Sequence, residues 1–213
     1  MQVAIFQFSL FGINTYVVFD PASKECAIID PGMSNSEEEK AIENFIAEKG
    51  LTLTRIINTH LHIDHVAGIP FLRKKYGVPI LAHEGDKFLG EGIKEQAEMF
   101  GLRLNIGEIE ISEYIKAGDK IKIGDGELEV ISVPGHSKGS IALYDRSAGF
   151  LITGDALFRG SIGRTDLPGG NYQELLSSIG KEILTLPDNT VILPGHGPAS
   201  TIGEERAFNP FLS

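Results

Sequence analysis

Within six positions, His60, His62, Asp64 and His65 gather three imidazoles and a carboxylate. Imidazole nitrogen and carboxylate oxygen are ordinary ligands for zinc, and for iron or manganese in similar geometries. In an extended segment His60 and His62 point to one side, whereas on a helix they would lie about 200° apart. A loop can therefore converge both on one ion, unlike the helical His-Glu-x-x-His spacing of metalloproteases. The chemistry this implies is metal-assisted, with solvent as the reactant and no serine or cysteine nucleophile required.

Three histidines lie outside that stretch: His83, His136 and His196. Two share a setting, because Glu129–Val133 and Thr190–Leu193 each read as a buried strand that runs into Pro-Gly-His. A strand end followed by a rigid turn fixes an imidazole rotamer, and both could face one cleft. Phe150-Leu-Ile-Thr-Gly-Asp155 likewise runs a strand into a carboxylate. Taken singly, each of these is equally well a turn residue bonded to backbone. Together with the opening stretch they supply five His and two Asp, enough for two ions sharing one bridging carboxylate.

The elements that must position these groups follow from periodicity. Residues 2–9, Asn14–Phe19 and Cys26–Ile29 read as a small antiparallel meander. A helix follows, with Ser36 as N-cap, acids in its first turn and Gly50 as its stop. Strand 53–58 leads into the ligand loop at a strand's carboxyl end, where open α/β sheets place their sites. Helix 68–76 and a strand at Val78–Ala82 come next. Residues 84–107 read as short helices forming a surface excursion that walls one side of the site. Strands are expected at Lys120–Ile123, Glu127–Val133, Ser140–Tyr144, Phe150–Thr153 and Val191–Leu193, with a helix over Asn171–Leu184. This order predicts two sheets packed face to face with helices outside, an α/β (α+β) sandwich.

Composition narrows the function further. The net charge of −10 argues against a nucleic-acid or anionic-membrane binder. No run of eighteen apolar residues reads as a membrane span. The single cysteine, Cys26, sits in an apolar strand pattern, is expected to be a buried structural thiol, and suits a cytoplasmic protein.

The series Thr59-His60-Leu-His62-Ile-Asp64-His65, Pro-Gly-His136-Ser-Lys-Gly-Ser140, Gly-Asp155 and Gly-His196-Gly-Pro resembles the metallo-β-lactamase fold superfamily. Residues 157–170 and the ending Asn209-Pro-Phe-Leu212 resemble its glyoxalase II group, the hydroxyacylglutathione hydrolases. The resemblance implies one four-layer αββα domain over residues 1–213, without the extra C-terminal helical region of full-length members. It implies two divalent ions, zinc by preference with iron or manganese as alternatives. His60, His62 and His136 would hold one, Asp64, His65 and His196 the other, with Asp155 bridging. The implied activity is hydrolysis of a small, glutathione-linked thioester such as S-lactoylglutathione by a metal-bridging hydroxide, with Asp64 helping to orient it. Arg159, Arg164 and Tyr172 are candidate substrate contacts, and His83 a supporting residue; Lys138, where the group often has Pro, has no assigned role. The alternative within the fold is a persulfide dioxygenase with one iron on His60, His136 and Asp155.

Overall fold

In a computed structural model that describes residues 1–104 and 106–212, the chain forms two six-stranded sheets packed face to face. The first sheet takes β1 (Gln2–Gln7), β2 (Asn14–Phe19) and β3 (Glu25–Ile29) as an antiparallel meander. After α1 (Ser36–Lys49) the chain adds β4 (Thr52–Ile57), parallel to β3. The short α2 (Ile63–Val66) and α3 (Ile69–Tyr76) lead to β5 (Ile80–Ala82), and α4 (Lys87–Glu91) and α5 (Ile93–Met99) lead to β6 (Glu113–Tyr114), both parallel additions.

The second sheet holds β7 (Lys120–Ile123), β8 (Gly126–Ser132), β9 (Ile141–Asp145) and β10 (Phe150–Gly154), each antiparallel to the one before. A small hairpin, β11 (Leu157–Phe158) with β12 (Ser161–Ile162), precedes α6 (Tyr172–Ser178) and a π-helical turn over Ile179–Ile183. Then β13 (Val191–Pro194) joins parallel to β10, β14 (Ser200–Thr201) pairs with β13, and α7 (Ile202–Phe208) follows.

Three apolar layers explain why the sheets stack. Strand side chains alternate between faces, so in β3 Cys26 and Ile28 face the helices while Ala27 and Ile29 face the other sheet. Ile28 packs in one cluster with Ile42, Ile46, Leu72 and Ile93 of α1, α3 and α5. Ile29, Ile57 and Val18 meet Val130, Leu143 and Ile152 between the sheets. On the far side Ala142, Leu151 and Ile192 pack against Leu175, Ile179 and Ile202. The result is the expected four-layer αββα sandwich, and each fully buried Ile or Leu contributes about 1.5–3 kcal/mol from burial alone.

The topology also sets the rim on which a site can form. Two antiparallel steps make β8 parallel to β10, and β10 is parallel to β13. The carboxyl ends of β8, β10 and β13 therefore open on one edge. The two sheets are tied there by Ile141 N donating to Thr59 O at 2.9 Å and Asn14 N donating to Gly195 O at 2.7 Å. Tyr16 Oη donates to Pro194 O at 2.5 Å, and burial pushes its phenol far above the ordinary value, so the donor keeps its proton.

Two expectations change. The cap of α1 is Asn35, whose side chain accepts from Glu37 N and Glu38 N at 3.1 Å each; Ser36 already has helical backbone. Gly50 ends the helix in a left-handed conformation as expected. The segment after His83 is more than a surface excursion, because Leu89, Ile93 and Ala97 are buried in the helix-side core. Their spacing of four residues gave that signal, broken by Gly90 and Gly92.

Asn35→Ala is expected to lower stability by about 1 kcal/mol and Ser36→Ala by a few tenths, read as urea unfolding midpoints. Equal losses would return the cap to Ser36. Cys26 is fully buried and its thiol is pushed up to about 12 by burial. A disulfide reagent at pH 8 should therefore label the folded protein only at the rate of unfolding, and the denatured chain at once.

Candidate metal centre

The loop after β4 delivers the first ligands. Asn58, buried at its start, donates Nδ2 to His65 O at 2.8 Å and curls the loop back. His62 is extended (φ −71°, ψ 152°) and leads directly into α2, which carries Asp64 and His65 on its first turn. An extended half and a helical half thus turn four side chains toward one point.

The other ligands arrive from the second sheet. His136 follows β8, Asp155 follows β10 and His196 follows β13. The glycines beside them are steric requirements. A Cβ on Gly195 would lie 2.2 Å from Asp155 Oδ1 and 2.8 Å from His65 Cε1, so that carboxylate and ring could not meet. Gly135 has φ +133° and packs against the Leu175 backbone, where a Cβ would lie 2.3 Å from its nitrogen.

The convergence is tight. His62 Nδ1 lies 2.8 Å from His136 Nε2, which lies 3.2 Å from His60 Nε2. On the other side His196 Nε2 is 3.1 Å from Asp64 Oδ2, and His65 Nε2 is 3.3 Å from Asp155 Oδ1. Asp155 spans the two groups, its Oδ2 standing 3.6 Å from His196 Nε2 and 3.7 Å from His136 Nε2. The donor atoms of His60, His62 and His136, and those of Asp64, His65 and His196, each fall within 4.8 Å of one another.

Whether these groups suit a cation is decided by where the ring protons go. His136 Nδ1 donates to Arg164 O at 2.7 Å, His196 Nδ1 to Phe11 O at 3.2 Å and His60 Nδ1 to Thr59 Oγ1 at 3.1 Å. His65 Nδ1 faces Asp30 Oδ2 at 3.0 Å. With those protons directed outward, the inward Nε2 atoms of His60 and His136 carry lone pairs, so their 3.2 Å approach is lone pair to lone pair and calls for a shared cation. His65 Nε2 and Asp155 Oδ1 are fully buried and make no well-directed hydrogen bond. The residues fit a metal.

Electrostatics agrees. Burial, with His65 and His136 adding, pushes His60 well below its ordinary value; burial, then His136 and His65, pushes His62 to about 3, so both are neutral bases at pH 7. Burial would push His65 down as well, but Asp30, Asp155 and Asp64 reverse it and hold it well above. Burial also opposes ionisation of Asp64 and Asp155, and the imidazoles of His65, His136 and His196 prevail, leaving both below the carboxylate range. His65 and His196, both held above the ordinary value, against burial, by the carboxylates around them, supply the countercharge that a bound cation would replace.

Three supporting residues were not among those expected at the site. Asp30, at φ +51°, accepts from Thr59 N at 2.8 Å and Thr59 Oγ1 at 2.7 Å while facing His65. Gln96 of α5 accepts from Ile63 N at 3.0 Å and donates to Leu61 O at 3.2 Å, gripping the ligand loop. Asp86 accepts from Leu61 N at 3.2 Å, Ser137 Oγ at 2.7 Å and Gly139 N at 2.7 Å, so one buried carboxylate joins the turns that carry His60, His62 and His136. Burial raises its carboxyl despite those donors. Only Asp30 had a sequence signal, its Asp-Pro-Gly turn after a strand.

The cleft above the cluster encloses about 420 Å³ and is lined by Phe11, Phe100, Phe158, Ile162, Leu167 and Arg164. Arg164 is paired with Asp166 by two bonds of 2.7 Å. Arg159 lies instead beside Glu204, Glu205 and Phe208, and Tyr172 is exposed at the start of α6, outside the lining. His83 caps a 3₁₀ turn by accepting from Gly85 N at 3.1 Å, and Lys138 Nζ stands 5.6 Å over the Phe88 ring.

A four-layer sandwich carrying a His and Asp metal-binding cluster on the shared rim of its sheets is the class this fold and site define. The model of the metallo-β-lactamase superfamily matches residues 9–196, and the chain belongs to that superfamily. It is 38% identical to the hydroxyacylglutathione hydrolase GloC of Haemophilus influenzae, over all of this chain and 99% of that protein. Among solved structures it is similar to BLEG-1, a B3 metallo-β-lactamase, with TM-score 0.88 and 31% identity over the whole of both chains. It is also similar to TTHA1623 in a di-iron-bound form, with TM-score 0.86 and 33% identity over 98% of this chain and 100% of that one.

Asp86→Ala orphans the buried N–H groups of Leu61 and Gly139, and should cost about 2 kcal/mol or more in urea unfolding. Asp86→Asn keeps one acceptor and should recover part of it. A loss under about 0.5 kcal/mol in the alanine variant would remove Asp86 from its organising place.

Proposed function

We propose that the chain is a metal-dependent thioester hydrolase that acts on S-(2-hydroxyacyl)glutathione. The observation that carries this is the position of Asp155, whose two oxygens reach donor groups on both sides of the cluster. His60, His62 and His136 would hold one divalent ion, Asp64, His65 and His196 a second, and Asp155 both. When bound, such a pair supplies hydroxide near neutral pH and a positive seat for the oxyanion of the addition step.

The chain's own residues account for the rest. Asp64 and Asp155 are held ionised and can accept a hydrogen bond from attacking water, orienting its oxygen toward the thioester carbonyl. The apolar lining of Phe158, Ile162 and Leu167 limits water to the floor of the cleft. A thiolate leaves readily, so collapse of the adduct needs no strong acid. Cys26 cannot be a nucleophile, buried in β3 with its thiol pushed up to about 12. The likeness to GloC over the full length supports glutathione as the thiol. The residues named for its carboxylates support it less, since Arg164 is committed to Asp166 and Arg159 and Tyr172 lie outside the cleft lining.

Protein stripped of metal and reloaded separately with zinc, manganese or iron should hydrolyse S-lactoylglutathione in proportion to metal bound, with about two ions per chain. Asp155→Ala should lose at least a thousandfold in kcat, on the order of removing a principal electrostatic group, and should retain fewer ions while keeping its circular dichroism. No turnover with any metal, together with oxygen consumption by the iron form on glutathione persulfide, would overturn this in favour of the dioxygenase.

A further inference from the structure

We propose that the cleft recognises its thioester through an apolar acyl group lodged against the paired rings of Phe11 and Phe100, so that an aryl 2-hydroxyacyl group is preferred to lactoyl. The proposal rests on the thioesterase reading and names the part of the substrate that is selected.

The two rings come from separate parts of the chain, the turn between β1 and β2 and the residue after α5. They meet edge to face, 5.6 Å between centroids at 65°, and line the same cavity as the ligand cluster. Phe11 remains 52% exposed, a large apolar surface at the mouth of a cleft that a substrate could cover. Its backbone is held at φ +55°, a conformation bulky residues rarely adopt, and its carbonyl receives His196 Nδ1. The same residue thereby fixes a ligand imidazole and aims an aromatic face into the space above it. Strain of this kind persists where surrounding structure over-determines it, and gathers at binding sites.

Charge offers no competing means of selection. Arg164, the guanidinium on the lining, is bidentate to Asp166, and its carbonyl is taken by His136 Nδ1. The apolar part of a 2-hydroxyacylglutathione is its acyl side chain. A methyl group covers little of either ring, whereas a phenyl group can extend the edge-to-face arrangement the two have begun.

S-Mandeloylglutathione and S-lactoylglutathione share thiol and α-hydroxyl and differ only in phenyl against methyl. In both, water oxygen bonds to the acyl carbon, the C–S bond breaks with its electron pair on sulfur, and the products are the hydroxy acid and glutathione. The metal-loaded protein should show kcat/KM for mandeloyl over lactoyl of about tenfold or more, within what an apolar pocket can discriminate. Phe100→Ala should bring the ratio to about two or below, and Phe100→Leu, which keeps the contact with the core, should give an intermediate value. Phe208→Ala, an exposed ring outside the cleft lining, should leave the ratio unchanged. A wild-type ratio of one or less, or a ratio unmoved in both Phe100 variants, overturns the proposal while the thioesterase stands. Turnover of neither compound overturns the thioesterase reading itself.

Discussion

Four of the five clustered imidazoles turn their other ring nitrogen toward a fixed oxygen, and much of this fold serves to place those oxygens. Thr59 takes the proton of His60, Asp30 faces that of His65, the Arg164 carbonyl takes that of His136 and the Phe11 carbonyl that of His196. Those four acceptors come from β3, the ligand loop, the segment after β12 and the first turn. Each must be in place for the inward lone pairs to meet. The site is therefore a property of the whole rim rather than of the motif that marks it.

Asp30 shows how one residue serves several ends. It closes β3 in a left-handed conformation, binds Thr59 through backbone and hydroxyl, and so indirectly fixes His60 while facing His65. Its own carbonyl accepts from Thr15 Oγ1 at 2.6 Å, which carries the restraint into β2. Asp86 plays the matching part across the cluster, joining the ligand loop to the turn after His136.

The ligand-bearing turns were legible in the sequence because they combine rare residue types with strand ends, and the short apolar runs of β2 and β3 marked them as strands. Asn35 was overlooked as a cap because Ser36 beside it is an equally good capping type, and only backbone angles separate them. Gln96 and Asp86 carried no signal at all. Their side chains act on backbone groups far away in sequence, and a hydrogen bond to a distant amide leaves no spacing to read. The helices at 87–99 were placed on the surface because glycines interrupted their period, although their apolar residues are core. Arg159 and Tyr172, near ligands along the chain, lie outside the cleft lining.

The seven ligands come four from one half of the molecule and three from the other. The loop at 60–65 belongs to the first sheet, whereas His136, Asp155 and His196 belong to the second. Ions shared by both groups would act as a fastener between halves that otherwise adhere through the apolar layer between the sheets and the hydrogen bonds along the rim. Binding energy at such a seam is also folding energy, so the protein's resistance to unfolding would rise and fall with the metal supply of its surroundings. The chain segments brought together lie more than seventy residues apart, which makes the seam among the last features to close as the chain folds.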